Sequence, residues 1–326
     1  MSPKILILGS SNSGKSTLLK QLVILHCNGF TADQNLRFRH YMLDNVVDSI
    51  RALVQAALAL KCEISNMDDA SALLAYTRGS AEEIPEHITK AISRLWNDRA
   101  IRAAWQVGER FFVQRTADFF ISRVDQISQP DYALTNDDIL HIRHRTTQIV
   151  EMSIIISGRT FRFFDVGGQR GDRKRWIPYF DDVHSILFIA SLADYDQVLV
   201  EDTRVNRMID SLALFETIFN HKLLQNSGMI LFLNKKDLFE AKIADSPISM
   251  FFPDYDPSKN KDVKHATSFF KKKFKKSCME TENGNSKRQL YIHTTTCTDT
   301  KSMQFIINAV IDGILKGALK SAGYTL

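Results

Sequence analysis

Near the start of the chain, Gly9-Ser10-Ser11-Asn12-Ser13-Gly14-Lys15-Ser16-Thr17 has the spacing G-x-x-x-x-G-K-S of a phosphate-binding loop. The glycines let backbone N–H groups turn inward on phosphate oxygens, Lys15 meets the outer phosphates, and the Ser16 hydroxyl ligates magnesium. Such a loop names neither the base nor the reaction, since kinases and ATPases carry it too. Three later segments narrow the choice. In Asn234-Lys235-Lys236-Asp237 the spacing N-K-x-D reads guanine: the Asp237 carboxylate can accept from ring N1–H and the exocyclic amine, a donor pair adenine lacks, while Asn234 and Lys235 brace the loop and cover the base. In Asp165-Val166-Gly167-Gly168-Gln169, Asp165 can hold magnesium through water, Gly168 offers its N–H to a terminal phosphate, and Gln169 can orient an attacking water. In Arg143-His144-Arg145-Thr146-Thr147, Thr146 supplies a second hydroxyl for magnesium and Arg143 a positive charge; alone, this segment reads equally as a basic linker.

These residues need strand ends and helix starts to hold them. Lys4-Ile5-Leu6-Ile7-Leu8 is an apolar run of strand type leading into the phosphate loop, and Leu18, Leu19, Val23 and Leu25 continue as a helix whose N-terminal dipole favours the anion. Met229 to Leu233 and Phe163-Phe164 are strands ending at their respective motifs. Between the first helix and the Arg143 segment lies a long stretch without a convincing strand. It opens on a capping box, Thr31-x-x-Gln34, after which Leu43, Val47, Ile50, Leu53, Val54, Ala57 and Leu58 keep helical period. Near the C-terminus Met303, Ile306, Ile307, Val310 and Ile314 make another buried helix stripe.

Taken in order, these segments resemble the heterotrimeric G-protein alpha subunits. DVGGQRGDRKRW (165–176) is similar to the family's second switch, Asp194 to Asp202 (DYDQVLVED) to its third, and NKKDLF (234–239) and Thr296-Cys297-Thr298-Asp299-Thr300 to its two guanine loops; the likeness runs from Lys4 to Gly323. It implies an α/β fold: a P-loop Ras-like GTPase domain with a mostly parallel six-stranded sheet (residues 1–27 and 141–326) and an inserted all-helical domain (28–140) that covers the nucleotide. It also implies a GTP/GDP site formed by Gly9, Asn12, Ser13, Gly14, Lys15, Ser16, Thr17, Leu140, Arg143, Thr146, Asp165, Gly168, Asn234, Lys235, Asp237, Cys297 and Thr298. Mg2+ would be held by Ser16, Thr146 and, through water, Asp165, with Arg143 and Gln169 as the catalytic pair. The implied function is a GTP-hydrolysing signal transducer that couples a G-protein-coupled receptor to effectors, cytoplasmic or at the inner face of the plasma membrane through partners. A nucleotide-holding module of this fold with negligible turnover is the alternative. A small-molecule kinase is opposed by Asn234, Lys235 and Asp237.

The departures from the family pattern carry further expectations. Where the family's loop usually reads Gly-Ala-Gly-Glu-Ser-Gly-Lys-Ser, Ser11 and Asn12 take the third and fourth positions. A side chain at Ser11 crowds the terminal phosphate, so hydrolysis is expected to be slow, and Asn12 lacks the carboxylate that commonly pairs with the arginine at the position of Arg143. Gln148 replaces the glycine after the two switch threonines, which predicts a weak response to GTPase-accelerating regulators, and Thr298 replaces an alanine, which predicts looser GDP. Gln114, Arg115 and Thr116 differ from the usual Asn-Asp-Ser. Family members carry a helix of about 30 residues before the first strand, often lipidated and used to grip the beta-gamma dimer; with three residues before Lys4, either the sequence is truncated or the protein signals without that grip. Leu319 to Leu326 is similar to the receptor-reading tail, with Ala322 at the place where several members have a cysteine modified by pertussis toxin, and residues 280–288 read as a polar loop insertion.

Composition bounds the rest. At 326 residues and 44% apolar, the chain is long enough for two domains and excludes wholesale disorder. No apolar run reaches the roughly 18 residues of a membrane span. Cys27, Cys62, Cys278 and Cys297 lie far apart, which suggests neither a disulfide framework nor a zinc site. The net charge of +5 is local: eight lysines and one acid occupy 259–276, where Val263, Ala266, Phe270 and Phe274 recur at helical spacing. That pattern predicts an amphipathic helix with a lysine face, either simply solvated or turned toward an acidic partner or an anionic membrane. No base-stacking aromatics interleave with these charges, so nucleic acid is not an expected partner.

Overall fold

The computed structural model describes residues 2–79, 83–113, 115–278 and 288–321. Gln114, residues 280–287 and the tail from Ala322 lie outside them. The chain forms two compact units, Met1–Gly29 with Arg145–Leu326, and Phe30–His144.

In chain order, β1 (Lys4–Leu8) leads through the phosphate loop into α1 (Lys15–His26). The second unit follows: α2 (Ala32–Ala59), α3 (Met67–Ala75), α4 (Glu86–Trp96), α5 (Arg99–Gln106), the single turns α6 (Asp118–Ile121) and α7 (Val124–Ile127), and α8 (Asn136–His141). The chain then returns to the first unit with β2 (Val150–Ile156), β3 (Arg159–Asp165), α9 (Arg170–Arg173), β4 (Ser185–Ser191), α10 (Arg207–Phe219), β5 (Gly228–Asn234), α11 (Lys236–Lys242), α12 (Val263–Lys276), β6 (Leu290–Thr294) and α13 (Thr300–Ser321).

The six strands pair in the order β2-β3-β1-β4-β5-β6, and every pair is parallel except β2 with β3. Because side chains alternate across a strand, β1 sends Leu6 and Leu8 into one core and Ile5 and Ile7 into the other. The first core is closed by α10, α11 and α12 through Phe215, Phe239 and Phe270, the second by α1 and α13 through Leu18, Leu22, Met303 and Ile307. Coverage on both faces is what lets the central strands be apolar throughout. Ile306, read as part of the buried α13 stripe, is only partly buried.

The helical unit is organised on α2. Its capping box forms: Gln34 N donates to Thr31 Oγ1 at 3.3 Å, and Thr31 N donates to Gln34 Oε1 at 2.9 Å. Leu43, Val47, Ile50, Leu53, Val54 and Ala57 are buried as their period requires, but Leu58 is 42% exposed. It lies in the last turn, one residue past the buried Ala56 and Ala57.

Candidate functional site

The phosphate loop is held open from behind by two neighbours. Gly9 (φ 144°) and Gly14 (φ 109°) occupy backbone conformations that L side chains rarely adopt. A Cβ on Gly9 would overlap the carbonyl oxygen of Ile189 at the end of β4, and one on Gly14 would overlap the Asn234 side-chain amide. Asn12 also has positive φ (61°), which asparagine tolerates better than most residues.

Lys15 opens α1 and is 6% exposed; its Nζ donates to the carbonyls of Gly9 (3.1 Å) and Ser10 (2.8 Å), so the ammonium sits inside the curl of its own loop. Burial pushes it down to about 8, with Asp165 the largest opposing influence. Ser16 Oγ donates to Asp165 Oδ2 at 2.6 Å and lies 2.8 Å from Thr146 Oγ1. Two hydroxyls from α1 and from the segment before β2 thus meet the carboxylate at the end of β3. The Asp165 side chain is 1% exposed, burial pushes its carboxyl up, and its buried Oδ1 has no hydrogen-bond partner among the described residues. A hard-oxygen cluster with an orphaned carboxylate oxygen fits Mg2+, which takes oxygen ligands and keeps several waters.

Gly168 follows β3 so closely against the loop that a Cβ there would fall on Lys15 Nζ and within 2.7 Å of the Gly9 carbonyl oxygen. Gln169, half-buried, is the N-cap residue of α9. The following turn is pinned: Trp176 Nε1 donates to the Gly167 carbonyl at 2.9 Å, and Arg170 Nε and Arg173 Nη1 each donate to Asp210 Oδ1 of α10 at 3.1 Å.

At the far end of β5, Asn234 ties three segments together. Its Nδ2 donates to the Ser13 carbonyl (2.8 Å), and its Oδ1 accepts from Cys297 N (2.9 Å) and Thr295 Oγ1 (3.2 Å). Cys297 is fixed from its other side by Gln21 Nε2 on its carbonyl at 2.9 Å, and burial pushes its thiol up to about 12. Lys235 is left-handed (φ 59°), and Asp237 is exposed in the first turn of α11. Thr17 and Thr298 are half-buried beside these contacts in the chain.

Leu140 and Arg143 belong to the helical unit. Leu140 is buried in α8. The peptide of Arg143 is gripped by one side chain of α2: Arg143 N donates to Asn45 Oδ1 at 2.7 Å, and Asn45 Nδ2 donates to the Arg143 carbonyl at 2.9 Å. One turn earlier on the same face, Tyr41 stacks on His144 with ring centroids 4.0 Å apart. Asn45, His141, Arg143 and Thr116 line a cavity of about 150 Å³ in this unit.

Sequence reasoning missed Asn45, Arg207 and Asp210. Arg207, at the start of α10, donates from Nη2 to the Ser11 carbonyl at 2.6 Å, and its Nε lies 3.0 Å from Asp194 Oδ2. The only local signal is the Asn206 N-cap, which marks a helix start and not a long-range anchor.

The family model for the G-protein alpha subunit matches residues 2–314. Among characterised proteins, the chain is similar to the guanine nucleotide-binding protein alpha-16 subunit of Caenorhabditis elegans, 39% identical over 324 residues, covering 98% of this chain and 90% of that one. It is likewise similar to the alpha-3 subunit of the same organism (40% over 325 residues) and the alpha-7 subunit of Caenorhabditis briggsae (38% over 323), each again covering 98% of this chain and 90% of the relative. A loop, guanine brace and hydroxyl–carboxylate cluster arranged in this way, on a chain matched almost end to end, place the protein in the G-protein alpha subunit family of guanine-nucleotide-binding, GTP-hydrolysing signal transducers.

Proposed function

We propose that this alpha subunit is a slow GTP timer, in which nucleotide binding is retained and hydrolysis is restrained by its own phosphate loop. The reading is supported above all by one observation: Ser16 meets Thr146 and Asp165 at hydrogen-bond distance, and the Lys15 ammonium sits on the Gly9 and Ser10 carbonyls of a loop whose third and fourth positions carry side chains, Ser11 and Asn12. Backbone N–H groups from Gly9 to Thr17, with Asn12, Ser13 and Thr17 among them, cradle the phosphates, and Lys15 neutralises the outer two. A Mg2+ held by Ser16, Thr146 and, through water, Asp165 supplies positive charge at the outer phosphates when bound. Gly168 donates its N–H to the terminal phosphate and Gln169 orients the attacking water. Arg143 compensates the charge that develops in phosphoryl transfer. Asp237 reads the guanine donors, Lys235 covers the base, and the Cys297–Thr298 backbone meets its carbonyl, all braced by Asn234; Leu140 completes the set in the helical unit.

Loss of the terminal phosphate releases Thr146 and Gly168, so both switch segments relax and the partner surface changes. The family works with receptors, effectors and beta-gamma dimers; in this chain we assign that changing surface to coupling between a membrane receptor and an effector, with membrane residence through partners. No helix among the described residues is long and apolar enough to cross a membrane.

Single-turnover hydrolysis of preloaded GTP tests the timer. Ser11→Gly is expected to speed the chemical step by about tenfold or more, because in-line attack tolerates little displacement, with GTP affinity unchanged. An unaltered rate in this variant would remove the reading. A wild-type rate indistinguishable from nucleotide in buffer would instead favour the nucleotide-holding module.

A further inference from the structure

The lysine-rich stretch takes no part in the nucleotide site. In α12, Ala266, Phe270 and Phe274 are each 0% exposed and close the core with β4, α10 and α11. At 3.6 residues per turn, Lys264, Lys271 and Lys275 fall on the opposite side of the helix, flanked by Lys272 and Lys276. Lys259 and Lys261 stand exposed just before it. Lys273 is on a different side and is paired: its Nζ lies 2.8 Å from Asp254 Oδ2.

The nearby acids are already engaged. Asp262 caps the helix by accepting from His265 N at 2.9 Å, and Asp256 accepts from Ser258 N at 2.9 Å. Among the described residues, no carboxylate lies within ion-pair distance of Lys264, Lys271, Lys272 or Lys275. The sequence beyond the helix does not cancel the charge, since residues 259–288 hold ten basic residues against three acidic ones. As the whole chain carries only +5, the remainder is net negative, so the excess of positive charge comes from this stretch.

We propose that the lysine face of α12 docks the protein directly on an anionic phospholipid bilayer, independently of the nucleotide. Charge complementarity selects a membrane over an acidic polypeptide for three reasons. Every basic residue from 259 to 276 is lysine, a compact hydrated charge without the fork by which arginine pairs carboxylates at protein interfaces. The aromatic residues Phe270 and Phe274 are committed to the core, so the face offers no buried anchor of the kind that dominates protein interfaces. The lysines from 264 to 275 span roughly 17 Å along the axis, about twice the screening length at physiological salt. A continuous sheet of negative charge engages all of them at once. The contact is electrostatic, with no insertion of the helix, because its apolar side is occupied by the protein itself.

The experiment is co-sedimentation of the GDP-loaded full chain with extruded vesicles of phosphatidylcholine alone or with about 30 mol% phosphatidylserine, a content that gives a strongly negative surface. Expected results are binding to the anionic vesicles only and release as salt is raised. Each neutralised lysine should weaken binding by about fivefold. The combined variant Lys264→Gln, Lys271→Gln, Lys272→Gln, Lys275→Gln should therefore lose detectable binding, while the four Lys→Arg replacements keep it. Unchanged guanine-nucleotide binding by each variant certifies its fold. Equal binding to both vesicle types, or undiminished binding by the glutamine variant, overturns the proposal. So does an absence of vesicle binding together with capture of the wild type, and not of the glutamine variant, by polyglutamate, an outcome that assigns the face to an acidic protein partner.

Discussion

Replacing Gly168 by alanine probes the closest approach in the nucleotide site. The added Cβ would lie 2.7 Å from the Gly9 carbonyl oxygen and 2.8 Å from the Ser10 carbonyl carbon, where ordinary contact begins at 3.4 Å. The two segments must therefore separate by roughly 0.7 Å, the shortfall against Gly9. Lys15 Nζ, also in the way, is the end of a flexible side chain and can yield. The phosphate loop has less freedom, because Gly9 backs onto the Ile189 carbonyl and Gly14 onto Asn234. The displacement then falls on the switch segment carrying Gly168 and Gln169. A misplacement of 1 Å can cost about a hundredfold in rate, so 0.7 Å predicts roughly a thirtyfold slower hydrolytic step, with GDP affinity within threefold of wild type. Single-turnover GTP hydrolysis measures the first quantity. Trp176, whose indole N–H is tied to the Gly167 carbonyl at 2.9 Å, reports the second switch by a fluorescence change on activation that should be lost in the variant. Hydrolysis within threefold of wild type, with a normal tryptophan response, would refute the packing argument.

Two further outcomes follow from the helical unit. Asn45→Ala removes both hydrogen bonds that hold the Arg143 peptide, and should slow hydrolysis by about tenfold while leaving binding of a non-hydrolysable GTP analogue unchanged; on an Arg143→Ala background it should add nothing, and an equal factor in both backgrounds would show that Asn45 does not act through the arginine. Asp138 is wholly buried, which alone would raise its carboxyl, yet Tyr132 Oη, Thr135 N and Oγ1, and Arg123 Nη2 all donate to it and hold it below the usual carboxylate range. A depressed folded-state pKa contributes stability that is present above the unfolded value and lost as pH falls through the folded one. Asp138→Asn should cost about 2 kcal/mol at neutral pH, and its denaturation midpoint should converge on that of wild type below about pH 4; a gap that stays constant into acid would count against this account.

How much could be read from the sequence depended on how far apart the partners lie. The phosphate loop, the N-K-x-D brace and the Asp165 turn each place several chemical groups within a few residues, so their spacing carries the geometry. The Thr31–Gln34 cap and the buried face of α2 are likewise set by one helical period. Arg207 on Ser11, Asp210 on Arg173 and Asn45 on Arg143 join residues 196, 37 and 98 positions apart. No local pattern distinguishes an arginine or an asparagine with such a partner from one that is merely solvated. Leu58 failed for a different reason: it stands at the edge of the buried face, one 100° step past Ala57, which is still buried in the same turn. The lysine face of α12 was legible in outline, because it is defined by what one helix turns away from its own core, although Val263 is only partly buried and Lys273 turns aside to Asp254.

The phosphate loop itself separates what the sequence alone had merged. Ser11 and Asn12 depart from the family pattern, and read as letters they weaken both grip and turnover. Their backbone nevertheless stays committed to the anion-binding curl. The Ser11 carbonyl is taken by Arg207, and Asn12 adopts the left-handed conformation at little cost for an asparagine. Gly9 and Gly14 remain where positive φ is needed. On the proposed reading, affinity for phosphates rests on those backbone donors and on Lys15, whereas turnover responds to the side chain that Ser11 adds at the third position of the loop. Binding and hydrolysis therefore respond to different atoms of the same two residues. A change confined to the Ser11 side chain should move the rate and spare the affinity, while Arg207→Ala, which frees the Ser11 carbonyl, should disturb both together.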